Sequence, residues 1–462
     1  MIARLPVVPG LLVLLFCLTS WAPRDAKAET LEDALTAAYL NNPTLLGQRA
    51  RLRVIDEQVP QAIANWRPTV EVTGAIERQI STNTARTFGG QDQIRTIRGG
   101  ALEVTQPLFR GGRTLAATRG AENTVLAERA RLTSTEQDVL LRAATAFLDV
   151  FRDEAVLRLN INNEQVLTRQ LAATRDRFEV GEITRTDVHQ AQARLARATA
   201  DRIDAEGNLE TARATYQNLV GDKAPKNLAT PDKLPDQPQD LSEVLKAAEA
   251  ENPDVTSAEL DKKAAQDNVD EVRGELLPTV ELNVAVRRDF ENVSNTNISR
   301  EETVGASVTV PLYQQGAVYS RLREAKQEVA QQQQTIDEAR RDAVETATRA
   351  WESLVTARAQ VKAFKTAVDA NEVALEGVER EAQVGSRTVL DVLDAEQELL
   401  DSRVNHTRAQ RDELVAIFEV KAAMGQLTAR AMQLPVSHYD PTEHYREVRD
   451  KWFGTGSKGG AE

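Results

Sequence analysis

The spacing of hydrophobic side chains changes repeatedly along this chain between a seven-residue repeat and a strict alternation. Residues 113–177 contain no proline and a single glycine, and apolar residues recur every seven positions, as at Val125, Leu132 and Val139. A sustained seven-residue repeat is typical of helices that pack as a coiled coil. At about 1.5 Å per residue, this segment predicts a rod roughly 100 Å long. Such a rod is too long for the core of a compact globular domain.

A turn is predicted at Val180-Gly181, and the chain then reads as a helix that returns along the rod. Residues 43–66 predict a second short helix that would stack end to end with this returning helix. The second half of the chain repeats the turn at Val384-Gly385. One row of each returning helix contains almost only small residues, which would let two backbones approach closely, although alanine is also simply a common helix former. The small positions are Ala191, Ala198, Ala205, Ala212, Ala395, Ser402, Ala409, Ala416 and Ala423.

Alternation of apolar and polar residues predicts one two-stranded hairpin in each half, over about residues 69–109 and 279–313. Each strand is expected to be about 9–11 residues long, which is the length that a tilted strand needs to cross a membrane. The same alternation also fits a half-buried sheet in a soluble protein. Four strands are too few to enclose a lumen, because the smallest outer-membrane barrels use about eight. A membrane barrel would therefore have to be shared between copies of the chain.

The two halves are an internal duplication. Asn41-Asn42-Pro43 recurs 210 residues later as Glu251-Asn252-Pro253. Gln106-Pro107-Leu108-Phe109 recurs 204 residues later as Val310-Pro311-Leu312-Tyr313, and the turn at Val180-Gly181 recurs with the same offset of 204. The halves therefore run in step, apart from one length change of six residues between the strands, where a loop is expected.

This duplication divides the chain into four parts after the N-terminal segment. The first repeat covers residues 29–221 and the second covers residues 241–428. Residues 222–240 contain four prolines and predict an extended linker. Residues 429–462 have no counterpart, and their glycine-rich end predicts disorder, so we expect this tail to be partly disordered.

Residues 1–28 predict a secretory signal peptide. Arg4 supplies the basic start, residues 11–18 are apolar, and Ala26-Lys27-Ala28 fits a cleavage site. The alternative is a membrane anchor, but the apolar run is shorter than the ~20 residues of a spanning helix. The only cysteine is Cys17, which follows Phe16 and not the small residue of a lipoprotein signal. The mature chain is therefore expected to contain no cysteine.

Charge and motif content exclude several classes of function. The formal net charge is −13, and it becomes −15 without residues 1–28, which carry three basic residues and one acidic residue. This balance argues against nucleic acid as a partner, since phosphate binding requires a basic face. The four histidines show no zinc-ligand spacing, and we find no nucleophile elbow, phosphate-binding loop or dinucleotide fingerprint. The sequence thus predicts no catalytic site, no metal site and no cofactor.

Three segments are characteristic: QPLFRGG at residues 106–112, VGEITRTDV at residues 180–188 and VGSRTVLDVLDA at residues 384–395. With these segments the mature chain resembles the TolC family of outer-membrane efflux ducts over nearly its whole length. The resemblance implies a mainly helical protein with a small β part, built as a homotrimer. Each chain would contribute four strands to a twelve-stranded transmembrane β-barrel in the outer membrane. Its coiled coils would form an α-barrel that extends into the periplasm.

The resemblance also implies a passive duct that hydrolyses nothing and serves an efflux or type I secretion system. A periplasmic adaptor would dock on the tip turns, Val180-Gly181 and Val384-Gly385, and connect the duct to an inner-membrane ABC or RND transporter. The alternative from another class is a coiled-coil scaffold that spans the periplasm without a pore. The cargo, which is protein, drug or metal ion in different members of the family, is left open by the sequence.

Five polar residues acquire roles from the same resemblance. Arg387 would bind Thr186 and Asp187 and hold the periplasmic entrance shut, through hydrogen bonds worth ~1.5–3 kcal/mol each. A tyrosine that contributes to this latch in the best-known member of the family is replaced here by Ala382.

Asp391 and Asp394 match the carboxylates of the family's constriction. They are three residues apart and therefore share one face of a helix. Three copies would supply six carboxylates around a narrow axis, a set that is expected to attract cations. Acidic residues in a first helical turn also commonly complement the helix dipole, and this second explanation stays open.

Overall fold

The fold is described from a computed structural model of the chain. It describes residues 30–81, 93–225, 228, 235–291 and 296–456. The predicted signal peptide lies outside the described residues, as do part of the predicted linker and the last residues of the tail.

The two halves contain corresponding elements in the same order, as the duplication predicts, except that two helices of the first half correspond to one helix of the second. The first half contains α1 (Leu31–Asn41), α2 (Pro43–Asp56), α3 (Gln58–Ala64), β1 (Thr69–Ser81), β2 (Gln93–Arg110), α4 (Arg113–Glu179) and α5 (Arg185–Val220). The second half contains α6 (Leu241–Glu251), α7 (Pro253–Gly274), β3 (Thr279–Phe290), β4 (Ile298–Thr309), α8 (Ala317–Gln383) and α9 (Val389–Ala423). The tail adds α10 (Glu443–Val448). The prediction of a mainly helical chain with four strands is confirmed.

The long helices α4 and α8 have 67 residues each and are therefore about 100 Å long. Each packs along part of its length on the short helix that follows it, α5 or α9, and along another part on α7. Half of the buried positions of α5 are the small residues of the predicted row, Ala191, Ala198, Ala205 and Ala212. In α9 the row is buried at Ser402, Ala409, Ala416 and Ala423.

The helix predicted over residues 43–66 is interrupted in the structure. It divides into α2 and α3 around Glu57. Pro60 explains the interruption, because a proline has no N–H to donate and its ring clashes with the carbonyl group four residues earlier. The corresponding helix of the second half, α7, has no internal proline and continues over 22 residues.

The largest hydrophobic core lies where the tail meets the first half. Tyr216, Phe147 and Phe418 are fully buried, and Leu427 and Leu434 of the segment after α9 belong to the same cluster. The tail is further attached by α10, where Nδ1 of His444 lies 3.3 Å from Oδ2 of the buried Asp56. Residues up to 456 of the tail are described, and the disorder predicted for its last residues falls on 457–462, outside the described part.

The four strands form one antiparallel sheet in the order β1-β2-β3-β4. They are 12 to 18 residues long, so the predicted length of about 9–11 residues was too short. The strands continue into polar segments because ladder hydrogen bonds between backbones do not require apolar side chains.

No layer of helices covers the described sheet on either face along its two outer strands. Residues 69–80 of β1 and 300–309 of β4 are exposed throughout. Large apolar side chains are among them, with Val72 79% exposed and Ile76 80% exposed. Each outer strand also has one edge without a neighbouring strand in the described chain. The sheet therefore presents both apolar side chains and unpaired backbone groups.

Among the described helices, none combines the length and the hydropathy that crossing a bilayer would require.

Candidate gate and constriction at the hairpin tips

The two coiled coils end in the same type of turn. After α4, Gly181 has φ +82° and the amide of Glu182 donates to the carbonyl oxygen of Arg177 at 3.0 Å. After α8, Gly385 has φ +80° and the amide of Ser386 donates to the carbonyl oxygen of Glu381, also at 3.0 Å. This is the Schellman arrangement, in which glycine readily takes the left-handed conformation that ends the helix.

Each turn exposes one valine at its apex. Val180 is 72% exposed and Val384 is 81% exposed. Phe178, two residues before Val180, is also 41% exposed, so the first tip carries a second apolar side chain. The predicted docking positions are thus at the ends of the hairpins and accessible.

The first turns of α5 and α9 are held by matching capping boxes. Oδ2 of Asp187 accepts hydrogen bonds from the amide and the hydroxyl group of Thr184, at 2.9 and 2.7 Å. Oδ2 of Asp391 accepts the corresponding bonds from Thr388, both at 2.8 Å. Asp187 and Asp391 therefore stabilise the start of their own helices, and for Asp391 this agrees with the second explanation given above.

The capping bonds also fix the charge of Asp391. The amide of Thr388 lowers the pKa of the Asp391 carboxyl group most, and the Thr388 hydroxyl group adds to this effect. Because both bonds stabilise the ionised form, Asp391 carries a negative charge at neutral pH.

Arg387 is engaged within its own turn. Its Nε donates to Oε2 of Glu381 at 2.8 Å, and both side chains are about half exposed. Among the described residues it has no hydrogen bond to Thr186 or Asp187. The structure therefore brings the three predicted gate residues to the same end of the molecule without joining them.

Asp394 connects the two coiled coils. Its Oδ1 pairs with Nη2 of Arg194, a residue of α5 that the sequence analysis did not single out. The adjacent Leu393 is 2% exposed. It belongs to a small apolar cluster, here called the tip cluster, with Leu167, Leu171, Ala191 and Ala198.

A signal for Arg194 was present in the spacing. Arg194 follows Asp187 by seven residues, and Asp394 follows Arg387 by seven residues. The observed pair, Arg194 with Asp394, therefore lies one heptad from the predicted gate pair, Asp187 with Arg387. The base is on α5 in the observed pair, whereas the acid is on α5 in the predicted pair. Local patterns do not reveal which helices lie side by side, so this relation has meaning only once α5 and α9 are seen to meet.

Comparison with known proteins now adds to the geometry. Residues 34–222 and 244–426 match the family model of the outer membrane efflux proteins, one match in each repeat. The chain belongs to the outer membrane efflux protein family.

Relatives and solved structures agree with this assignment. The outer membrane efflux protein BepC of Brucella suis biovar 1 is 34% identical over 431 residues, which cover 93% of this chain and 92% of BepC. The outer membrane protein TolC of Escherichia coli is 26% identical over 438 residues, covering 89% of this chain and 87% of TolC. The crystal structure of the CmeC outer membrane channel of Campylobacter jejuni superposes with a TM-score of 0.78 at 15% identity, covering 97% of this chain and 98% of CmeC.

These comparisons confirm the predicted family and the predicted location in the outer membrane. They also establish the general class of function, an outer-membrane channel for efflux or secretion. The roles of the individual tip residues stay predictions.

Proposed function

We propose that this efflux family protein assembles as a homotrimer around one water-filled channel and acts as a passive exit duct. The observation that carries the proposal is the four-stranded sheet with two open edges. Exposed edges and apolar faces in a monomer lead to non-specific association unless another chain or a bilayer covers them. Three copies joined at these edges would close a barrel of twelve strands, and lipid would cover the outward apolar side chains.

The gate proposal is supported by the register of α5 and α9. Arg194 and Asp394 are 200 residues apart and paired, and the proposed gate residues Asp187 and Arg387 differ by the same 200 residues. Because the Arg387 side chain is half exposed, it is accessible enough to exchange Glu381 for Asp187 and Thr186. In a trimer the partners would lie on the same or on neighbouring copies, and three such contacts would hold the entrance closed.

The constriction is proposed at Asp391 and Asp394. The side chain of Asp394 is 56% exposed, and Asp391 is partly exposed beside it on the same helix face. Three copies would place six carboxyl groups around the axis, where cations of high charge would bind most strongly.

The tip valines are the proposed docking points for a periplasmic adaptor, which would link the duct to an inner-membrane ABC or RND transporter. Val180 and Val384 are the most exposed apolar residues of the two turns, and exposed apolar side chains ringed by polar ones are typical of interaction sites. No cofactor is proposed. Transport of protein, drug and metal ion would all be compatible with this duct.

The test is single-channel recording of the purified protein in planar lipid bilayers, with its mass in detergent measured by light scattering. We expect a trimer whose conductance is blocked by cobalt hexammine, a trivalent cation. Asp391→Ala combined with Asp394→Ala should relieve the block, whereas Asp412→Ala, at an exposed acid of α9 near its other end, should not. A monomeric protein without conductance would support the scaffold alternative and overturn the proposal.

A further inference from the structure

The pair of Arg194 and Asp394 is the one ion pair that joins α5 to α9 in the described part of the chain. These two helices pack on each other much less extensively than each packs on its own long partner. The contact between α5 and α9 therefore depends on few side chains, and a charged pair makes up a large share of it, whereas α9 packs more extensively on α4.

Near the tips, the start of α9 makes this contact. Leu393 belongs to the tip cluster together with Leu171 of α4 and Ala191 of α5. The next residue, Asp394, reaches Arg194 beside that cluster. A movement of the start of α9 away from the first coiled coil would thus remove the apolar contact and the ion pair together.

The same pair changes the charge of the proposed constriction. Asp391 is ionised and its hydrogen bonds stay within its own helix. The charge of Asp394, in contrast, is compensated by a guanidinium group that approaches from another helix. In the proposed trimer, six carboxylates would be offset by three arginines for as long as the coiled coils stay together.

We propose that Arg194 determines the ion selectivity of the closed constriction by neutralising Asp394, and that separation of α5 and α9 exposes this carboxylate. The inference rests on the proposed channel function. Opening would then do more than widen the passage, because it would also add three uncompensated carboxylates at the narrowest part. The opened channel would therefore bind cations more strongly than the closed channel.

The experiment compares wild type with Arg194→Gln and Asp394→Asn in planar bilayers, with cobalt hexammine as the probe. Arg194→Gln should lower the concentration of cobalt hexammine needed for block by about five-fold or more. The substitution leaves the three Asp394 carboxylates of the trimer uncompensated, and these attract the trivalent ion across a few ångströms of partly screened water. Asp394→Asn should raise the blocking concentration. Both variants should increase the conductance of the unblocked channel, because both remove the ion pair that joins α5 to α9.

Arg197→Gln is the matched control. Arg197 lies one turn further along α5 and is 3.9 Å from Asp201 on its own helix, so its removal should leave the block and the conductance unchanged. A second test exchanges the charges, as Arg194→Asp with Asp394→Arg. This double variant should have the same conductance as the closed wild type. The mass measured by light scattering should show that all variants assemble alike.

The outcomes separate this inference from the function on which it rests. If wild type conducts and is blocked by cobalt hexammine but Arg194→Gln changes neither property, the role of Arg194 is refuted while the channel stands. If the exchanged pair conducts like Arg194→Gln, the contact is not an ion pair in the assembled channel, and the inference fails as well. If wild type itself does not conduct, the proposed function and this inference fall together.

Discussion

Glu396 is a buried acidic residue whose ionisation should make the stability of the protein depend on pH. It lies on α9 two residues after Asp394 and is 8% exposed, and its Oε2 has no hydrogen-bond partner in the described part of the chain. It borders a cavity of about 170 Å³ together with Asn163 of α4 and Glu379 of α8. Burial raises the pKa of Glu396 to about 7; Glu379 adds to the increase and Arg169 of α4 opposes it.

The direction of the effect on stability follows from where the proton is held. The ordinary pKa of this group is 4.5, so the folded chain keeps the Glu396 proton over a pH range in which the unfolded chain has lost it. The free energy of unfolding should therefore decrease as the pH rises from about 4.5 to about 7, and then stay low. A difference of about 2.5 units corresponds to about 3 kcal/mol per chain, at 1.36 kcal/mol per unit.

Substitution of Glu396 by glutamine removes the ionisation and keeps the shape of the side chain. Relative to wild type, Glu396→Gln should be more stable by up to about 3 kcal/mol at about pH 8 and nearly equal in stability at about pH 5. Arg403, the nearest base on the same helix face, pairs with Glu372 at 2.6 Å. It is therefore not available to compensate the Glu396 carboxylate.

Thermal unfolding in detergent, followed by circular dichroism at both pH values, measures this difference. Glu398→Gln is the control, since Glu398 is an exposed acid on the same helix and its substitution should shift the midpoint little at either pH. If Glu396→Gln and wild type differ by the same amount at both pH values, the carboxyl group does not titrate in this range, and the burial argument is refuted.

Two further substitutions test the packing, both measured as changes in the midpoint of thermal unfolding. Gly425→Ala should destabilise more than Gly385→Ala, although both glycines have positive φ, because a Cβ at 425 would lie 2.4 Å from the carbonyl oxygen of Glu251 and the space at 385 is open. Gly385→Ala should cost only about 1–2 kcal/mol of unfolding free energy. Equal losses for the two variants would contradict the prediction. Phe147→Ala, at a fully buried position of the largest core, should cost about 3–5 kcal/mol, and a loss below 1 kcal/mol would show that this core is loosely packed.

The elements that sequence could predict are those specified by local chemistry. Helix α4 begins at Arg113, directly after Gly112, and ends where Gly181 permits a left-handed turn. Between them the chain has no proline that would interrupt the helix, and the heptads supply one buried face. The break at Glu57 was missed although Pro60 lies well inside the predicted helix, because an interior proline can either kink a helix or end it, and only packing shows which.

The site residues were predicted less completely, and the reason is distance along the chain. The capping role of Asp187 and Asp391 follows from a threonine three residues earlier, a pattern that is local. The partner of Asp394 is 200 residues away, and its identity depends on how the two coiled coils lie against each other. The packing of Leu427 and Leu434 into the first core likewise depends on the fold as a whole.

The duplication implies that the contacts between coiled coils are not all equivalent. The repeats are offset by 204 residues, so the counterpart of Arg194 in the second repeat is Glu398, and the counterpart of Asp394 in the first repeat is Gln190. An acid and an amide cannot form the ion pair that the structure shows between α5 and α9. In the proposed trimer, first and second repeats would alternate around the ring. The contact between the two repeats of one chain would have this ion pair, and the contact between repeats of neighbouring chains would lack it. If this ion pair makes the contact within a chain the stronger one, the ring would separate first at the contacts between chains. The entrance should therefore begin to open between copies. The charge of Asp394 should become uncompensated only when α5 and α9 of the same chain also separate.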